Sequence, residues 1–241
     1  MGRTVQWQSS QRLEGNRMKP RISSLMASAL ALLLLSTAAT AADKEPVRKV
    51  EGTTVTSDQD PAVKVTLPAT AQYVGAARWD LYGIADAELH VFVEADAQKR
   101  IQRLYWVQFE SYLPDNTHTY KYPFLEKVTL AGLDFDVHGR YSPTDVQNKT
   151  GSERERVVGM LGKAGYQLPK EQLNLRLIHL PDEAKRKELM IVYAEDLSMS
   201  GTTVDQLNQT GGQAKWEETK KGLIERAKER IQLSNTSSDS K

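Results

Sequence analysis

The most regular text in the chain runs from Asp86 to Ala95, where Ala87, Leu89, Val91, Val93 and Ala95 alternate with Asp86, Glu88, His90, Phe92 and Glu94. A period of two puts these sets on opposite faces of a β-strand. After the polar break Asp96–Arg100, the stretch Ile101–Leu113 carries Ile101, Tyr105, Val107, Phe109 and Leu113 on one face, and the two stretches together predict a β-hairpin. The break counts as three, four or five loop residues, and a slip of one residue exchanges the faces. Matching the apolar faces favours an odd-length loop. In that register His90 and Glu88 stand across from Trp106, Gln108 and Glu110 on the polar face.

Shorter alternating stretches predict further strands at Ala62–Leu67, Val128–Leu130 and Leu133–Val137, the last two separated by Ala131-Gly132 as a tight turn or bulge. Leu173–Leu180 and Glu188–Ala194 read as a second hairpin around the charged tip Pro181–Lys187. In its second strand Leu189, Ile191 and Tyr193 alternate with Met190 and Val192, so both faces are apolar, as in a central strand covered on both sides.

Two segments switch to the helical period. Ser152 and Glu155 stand at capping-box spacing ahead of the stripe Val157, Val158, Leu161 and Ala164, with Gly165 as the stop. Gly159 and Gly162 interrupt this helix at a cost of about 1 kcal/mol each relative to Ala, and close packing on the sheet is the reason the pattern suggests. From Trp216 to Gln232 a stripe of Trp216, Leu223, Ile224, Ala227 and Ile231 predicts a helix docked on the sheet rather than on a membrane surface. The whole predicts an α+β fold: a mainly antiparallel sheet of six or more strands, with two principal helices packed on it, in one domain over residues 62–233.

The ends of the chain read differently. Lys19 and Arg21, the apolar run Leu25–Leu35 and the small-residue exit Ala39-Thr40-Ala41 have the layout of a secretory signal, so residues 1–41 are expected to be removed on export. Residues 42–61 are charged and polar and are expected to be a flexible leader, and residues 234–241 a disordered tail. Five of the 32 basic residues but only one of the 31 acidic ones lie in the signal region, so the mature chain is mildly acidic. That balance gives little drive for nucleic-acid binding. Cysteine is absent, which removes disulfides and thiol chemistry and suits a bacterial periplasm.

Chemistry is sparse in the text. His90, His118, His138 and His179 are scattered singly, with no metal-ligand spacing, and no phosphate loop, nucleophile elbow or dinucleotide fingerprint occurs. No metal or cofactor is expected. The one constellation worth naming is the hairpin's polar face, where His90, Trp106, Gln108 and Glu110 combine an imidazole, an indole and polar groups in a small area. It is expected to bind a small amphipathic ligand or an envelope protein, without stable membrane insertion once the signal is gone. Alternatives are a hydrolase-like enzyme using His90 with Glu88 or Glu110, and a structural protein of envelope assembly.

Overall fold

The computed structural model describes residues 43–124 and 126–236, all within the unit Ala39–Lys241. The expected signal segment lies outside the described residues. In chain order the elements are β1 (Lys49–Glu51), β2 (Thr54–Ser57), β3 (Val63–Thr66), β4 (Gln72–Leu81), β5 (Ala85–Ala95) and β6 (Ile101–Tyr112). Then follow β7 (Glu126–Leu130), β8 (Leu133–Pro143), α1 (Glu153–Lys163), β9 (Glu171–His179) and β10 (Lys187–Asp196). A 3-10 turn at Leu197–Ser200, α2 (Val204–Asn208), α3 (Gly212–Arg230) and β11 (Gln232–Asn235) complete the fold.

The long alternating strands pair into a seven-stranded antiparallel sheet in the order β4-β5-β6-β10-β9-β8-β7. This is the α+β arrangement that the patterning predicts, with β10 in the centre. Both of its faces are covered. One face, carrying Phe92, Tyr105, Val107, Phe109, Leu175, Leu177 and Ile191, packs against β2, β3 and the apolar stripe of α3. The other, carrying Leu89, Val91, Trp106, Met190 and Val192, packs against Val157 and Leu161 of α1. Gly139 lets α3 sit close on β8, because a Cβ there would stand 2.9 Å from the Lys220 side chain and 3.4 Å from Trp216.

Helix α1 is bounded as the sequence predicts. The Ser152 hydroxyl accepts the Glu155 N–H at 3.2 Å, and the Glu155 carboxylate reaches back to the Gly151 N–H at 2.7 Å. At the other end the Tyr166 N–H bonds the Leu161 carbonyl and the Gly165 N–H the Gly162 carbonyl, with Gly165 in the left-handed region (φ +79). The explanation offered for the interior glycines does not hold. Gly159 and Gly162 are exposed, and nothing lies within 4 Å of where a Cβ would stand on either. The apolar stripe seats the helix, with Arg154 bonded to the Thr144 carbonyl and Arg156 stacked on Trp79, and the glycines need no close approach.

Two further expectations are corrected. Residues 43–61 are not a flexible leader, since they supply β1 and β2 of a second, four-stranded sheet ordered β1-β2-β3-β11. Val55, fully buried on β2, gives the short strand its anchor, and Lys44 pairs with Asp86 at 3.2 Å. Ser234 and Asn235 likewise belong to β11, which pairs with β3, rather than to a disordered tail; residues 237–241 lie outside the described residues. Strand β4 escapes the pattern because its middle reads Gly75-Ala76-Ala77 and a bulge between Tyr73 and Gly75 breaks its alternation.

Candidate functional site

The hairpin β5–β6 begins as expected, with a five-residue loop that leaves Ala95 opposite Ile101. One residue on, Glu94 pairs with Arg103, so Gln102 is the extra residue of a bulge. That single residue shifts the register by one and turns all of β6 beyond it over. His90 then stands opposite Val107 and Glu88 opposite Phe109, while Trp106, Gln108 and Glu110 sit opposite Val91, Leu89 and Ala87. The expected constellation is therefore split between the two faces of the sheet.

On the α3 face, His90 and Glu88 are each 1% exposed and are occupied with each other and with the N-terminal segment. His90 Nε2 lies 3.0 Å from Glu88, and Tyr73 contacts its Nδ1 at 3.4 Å. Glu88 also accepts the backbone N–H groups of Val47 and Arg48 at 3.0 and 2.8 Å and pairs with the Arg48 guanidinium at 3.2 Å. Burial opposes ionisation of this carboxyl. The His90 bond, the two amides and Arg48 prevail and hold it down at about 2. The arrangement ties residues 47 and 48 to the sheet. It leaves no room for a substrate between His90 and a carboxylate, and Glu110 lies on the opposite face.

On the α1 face, Trp106, Gln108 and Glu110 do come together. They are alternate residues of β6, linked by hydrogen bonds: the Trp106 indole N–H donates to Gln108 Oε1 at 2.6 Å, and the Gln108 amide donates to Glu110. The Tyr120 hydroxyl donates to the other Glu110 oxygen at 3.0 Å. Directly across on β10 is Glu188, which accepts from the Tyr122 hydroxyl. Glu110 and Glu188 are 9% and 2% exposed. Burial pushes both carboxyls up; Glu153 adds to the effect on Glu110, and Glu110 itself adds to the effect on Glu188. Two adjacent buried carboxyls cannot both ionise cheaply, so the pair holds a proton near neutral pH. Tyr112, Tyr120, Tyr122, Phe124 and His138 form a continuous stack, with successive ring centres 4.4, 6.4, 5.5 and 4.5 Å apart.

Beside this pair, between α1 and the sheet, lies a cavity of about 80 Å³. Leu104, Trp106, Val157, Leu161 and Val192 make its apolar wall, and Arg140, Arg154, Arg176 and Glu153 its charged rim. The sheet rows explain the grouping: Trp106 is followed across the strands by Val192, Arg176 and His138, and Leu104 by Ala194, Asn174 and Arg140. Arg154 is fixed by the Thr144 carbonyl at 2.8 Å and by Asn148. Arg140 and Arg176 have no hydrogen bond or ion pair among the described residues. Desolvation and the neighbouring guanidinium charges of Arg176 and Arg154 push Arg140 down, a sign of positive charge left uncompensated.

A larger groove of about 530 Å³ runs along the strand ends, lined by Asp96, Arg100, Gln102, Lys170 and Asp196. Its Arg100 is already paired with Asp96 at 2.7 Å, and it lacks an aromatic wall. The cavity under α1 is the better candidate, despite its smaller volume. Of the cavity's lining, sequence reading named Trp106; Gln108 and Glu110 share its strand face without lining the cavity, and Arg140, Arg154 and Arg176, like the neighbouring Glu188, were missed. Arg176 within Leu173–Leu180 and Glu188 at the head of an apolar strand were the available signals, as charges set where the pattern calls for buried residues.

Among the described residues no group of three or more His, Cys, Asp or Glu is placed to hold a metal ion, and no helix is long and apolar enough to cross a membrane. Comparison of the chain with protein-family models, curated proteins and solved structures finds no match.

Proposed function

We propose that the protein is an exported, periplasmic, non-catalytic module that binds a small amphipathic ligand in the cavity between α1 and the seven-stranded sheet. The observation that carries this reading is the meeting of an apolar aromatic wall with the guanidinium groups of Arg140 and Arg176, which make no hydrogen bond or close ion pair among the described residues. Binding sites combine such surfaces, the apolar wall supplying affinity and a few fixed polar groups the orientation. At about 80 Å³ the cavity has room for roughly three waters at ~30 Å³ each, so only the small apolar end of a ligand enters it. The export signal in the sequence supports the location.

Native mass spectrometry of protein purified gently from an exporting host tests the reading. A bound small molecule is expected on the wild type and not on Val158→Phe, which narrows the cavity from the helix side. Ligand retained equally by both proteins would place binding elsewhere.

A further inference from the structure

We propose that the cavity under α1 is an anion site, taking a small organic molecule whose oxyanion head, carboxylate or phosphate, is held by Arg140 and Arg176. This rests on the ligand reading above and specifies its chemistry. Arg176 faces His138 across the β8–β9 ladder, and Arg140 is two residues beyond His138, so the two guanidinium groups are diagonal neighbours on one face of the sheet. Neither makes a hydrogen bond or close ion pair among the described residues, the Arg176 charge reaching the buried Glu110 and Glu188 only through space, and Arg154 on the facing helix engages only neutral groups, two backbone carbonyls and the Asn148 amide oxygen. Three like charges thus converge on one small opening whose lining holds one carboxylate, Glu153, while Glu110 and Glu188, which also feel Arg176, are pushed toward the neutral form.

Like charges this close repel one another, and a counter-charge between them relieves the repulsion. The planar, forked donors of arginine match the geometry of a carboxylate or phosphate, which takes two parallel N–H bonds from one guanidinium. Burial and the Arg176 and Arg140 charges push His138 down, so it adds no positive charge of its own near neutral pH. Behind the charged rim, Leu104, Trp106, Leu161 and Val192 leave space for a chain of about three carbons at ~30 Å³ of liquid volume per water displaced.

The test is an NMR titration of the whole mature protein with butanoate, propyl phosphate and propan-1-ol, each with a three-carbon chain, following the Trp106 indole N–H. At least one of the anions should shift this resonance and bind ten-fold or more tightly than the alcohol, and which anion does so identifies the head group. Arg140→Gln and Arg176→Gln should each weaken anion binding ten-fold or more and leave the alcohol unaffected. Arg140 is exposed, so its variant keeps the test available should Arg176→Gln fail to fold. If propan-1-ol shifts Trp106 as readily as the anions, or if Arg140→Gln changes nothing, the anion inference is overturned while the ligand reading stands. If none of the three molecules perturbs Trp106, both fail.

Discussion

Replacing Glu188 by Gln should make the protein more stable at alkaline pH, against the usual expectation for a change at a fully buried site. Glu188 and Glu110 lie directly opposite each other on β10 and β6; burial with the Glu110 charge raises Glu188 to about 8, and burial with the Glu153 charge raises Glu110 to about 7. In the unfolded chain both return to ordinary values near 4.5. Between pH 4.5 and 8 the folded protein therefore holds protons that the unfolded chain has released, and stability must fall as pH rises through that window. At ~1.4 kcal/mol per pKa unit, the rise of Glu188 from 4.5 to about 8 corresponds to about 5 kcal/mol, and local relaxation with water entry reduces this to about 1–3 kcal/mol. The amide of Glu188→Gln can still accept from Tyr122 and can donate to Glu110, so the variant should lose roughly half the pH slope. It should exceed the wild type by about 1 kcal/mol at pH 8. Urea unfolding of both proteins at several values from pH 5 to pH 8 measures this, and other titrating groups such as His138 cancel in the comparison. A variant less stable than the wild type at pH 8, or an identical slope in both proteins, would refute the reasoning.

Three further outcomes follow from particular contacts. Gly159→Ala and Gly162→Ala face open space on α1 and should each stabilise the fold by about 0.5–1 kcal/mol, read as a raised Tm; a loss at either would mean a hidden close contact. Glu88→Gln should cost about 1.5–3 kcal/mol and speed proteolytic cleavage near Val47 and Arg48. Because Glu88 is held down at about 2, its contribution is present above the ordinary carboxyl value and is lost as pH falls from 4.5 toward 2, a loss that the variant should lack. In an exporting host the mature protein should begin at Ala42 or Asp43 by intact mass, and a membrane-bound product retaining residues 18–41 would make that segment an anchor.

How much of this was legible in the sequence depended on how locally each feature is encoded. The strands β5, β6, β9 and β10 and the limits of α1 were readable, because alternation, a capping serine and a terminal glycine act over a few residues. Of the candidate cavity's lining, Trp106 was readable. Trp106, Gln108 and Glu110 share a face by strand period alone, whatever β6 pairs with. Adding His90 required the β5–β6 register, and the bulge at Gln102, which no residue type announces, reversed it. Glu188 and Arg176 joined the site only through the pairing of β10 with β6 and β9, which is long-range. The first and last short strands were hidden for a related reason: β1, β2 and β11 are three or four residues each and owe their order to one another and to β3, not to their own pattern.

The central claim, that the space between α1 and the sheet is a binding site, is tested most directly by a crystal structure of the protein purified gently from an exporting host. The account expects electron density for a small molecule in the cavity, with an anionic group between Arg140 and Arg176 and an apolar end against Trp106. Density for a ligand elsewhere, on the His90 face or in the groove beside Arg100, with only water under α1, would contradict it.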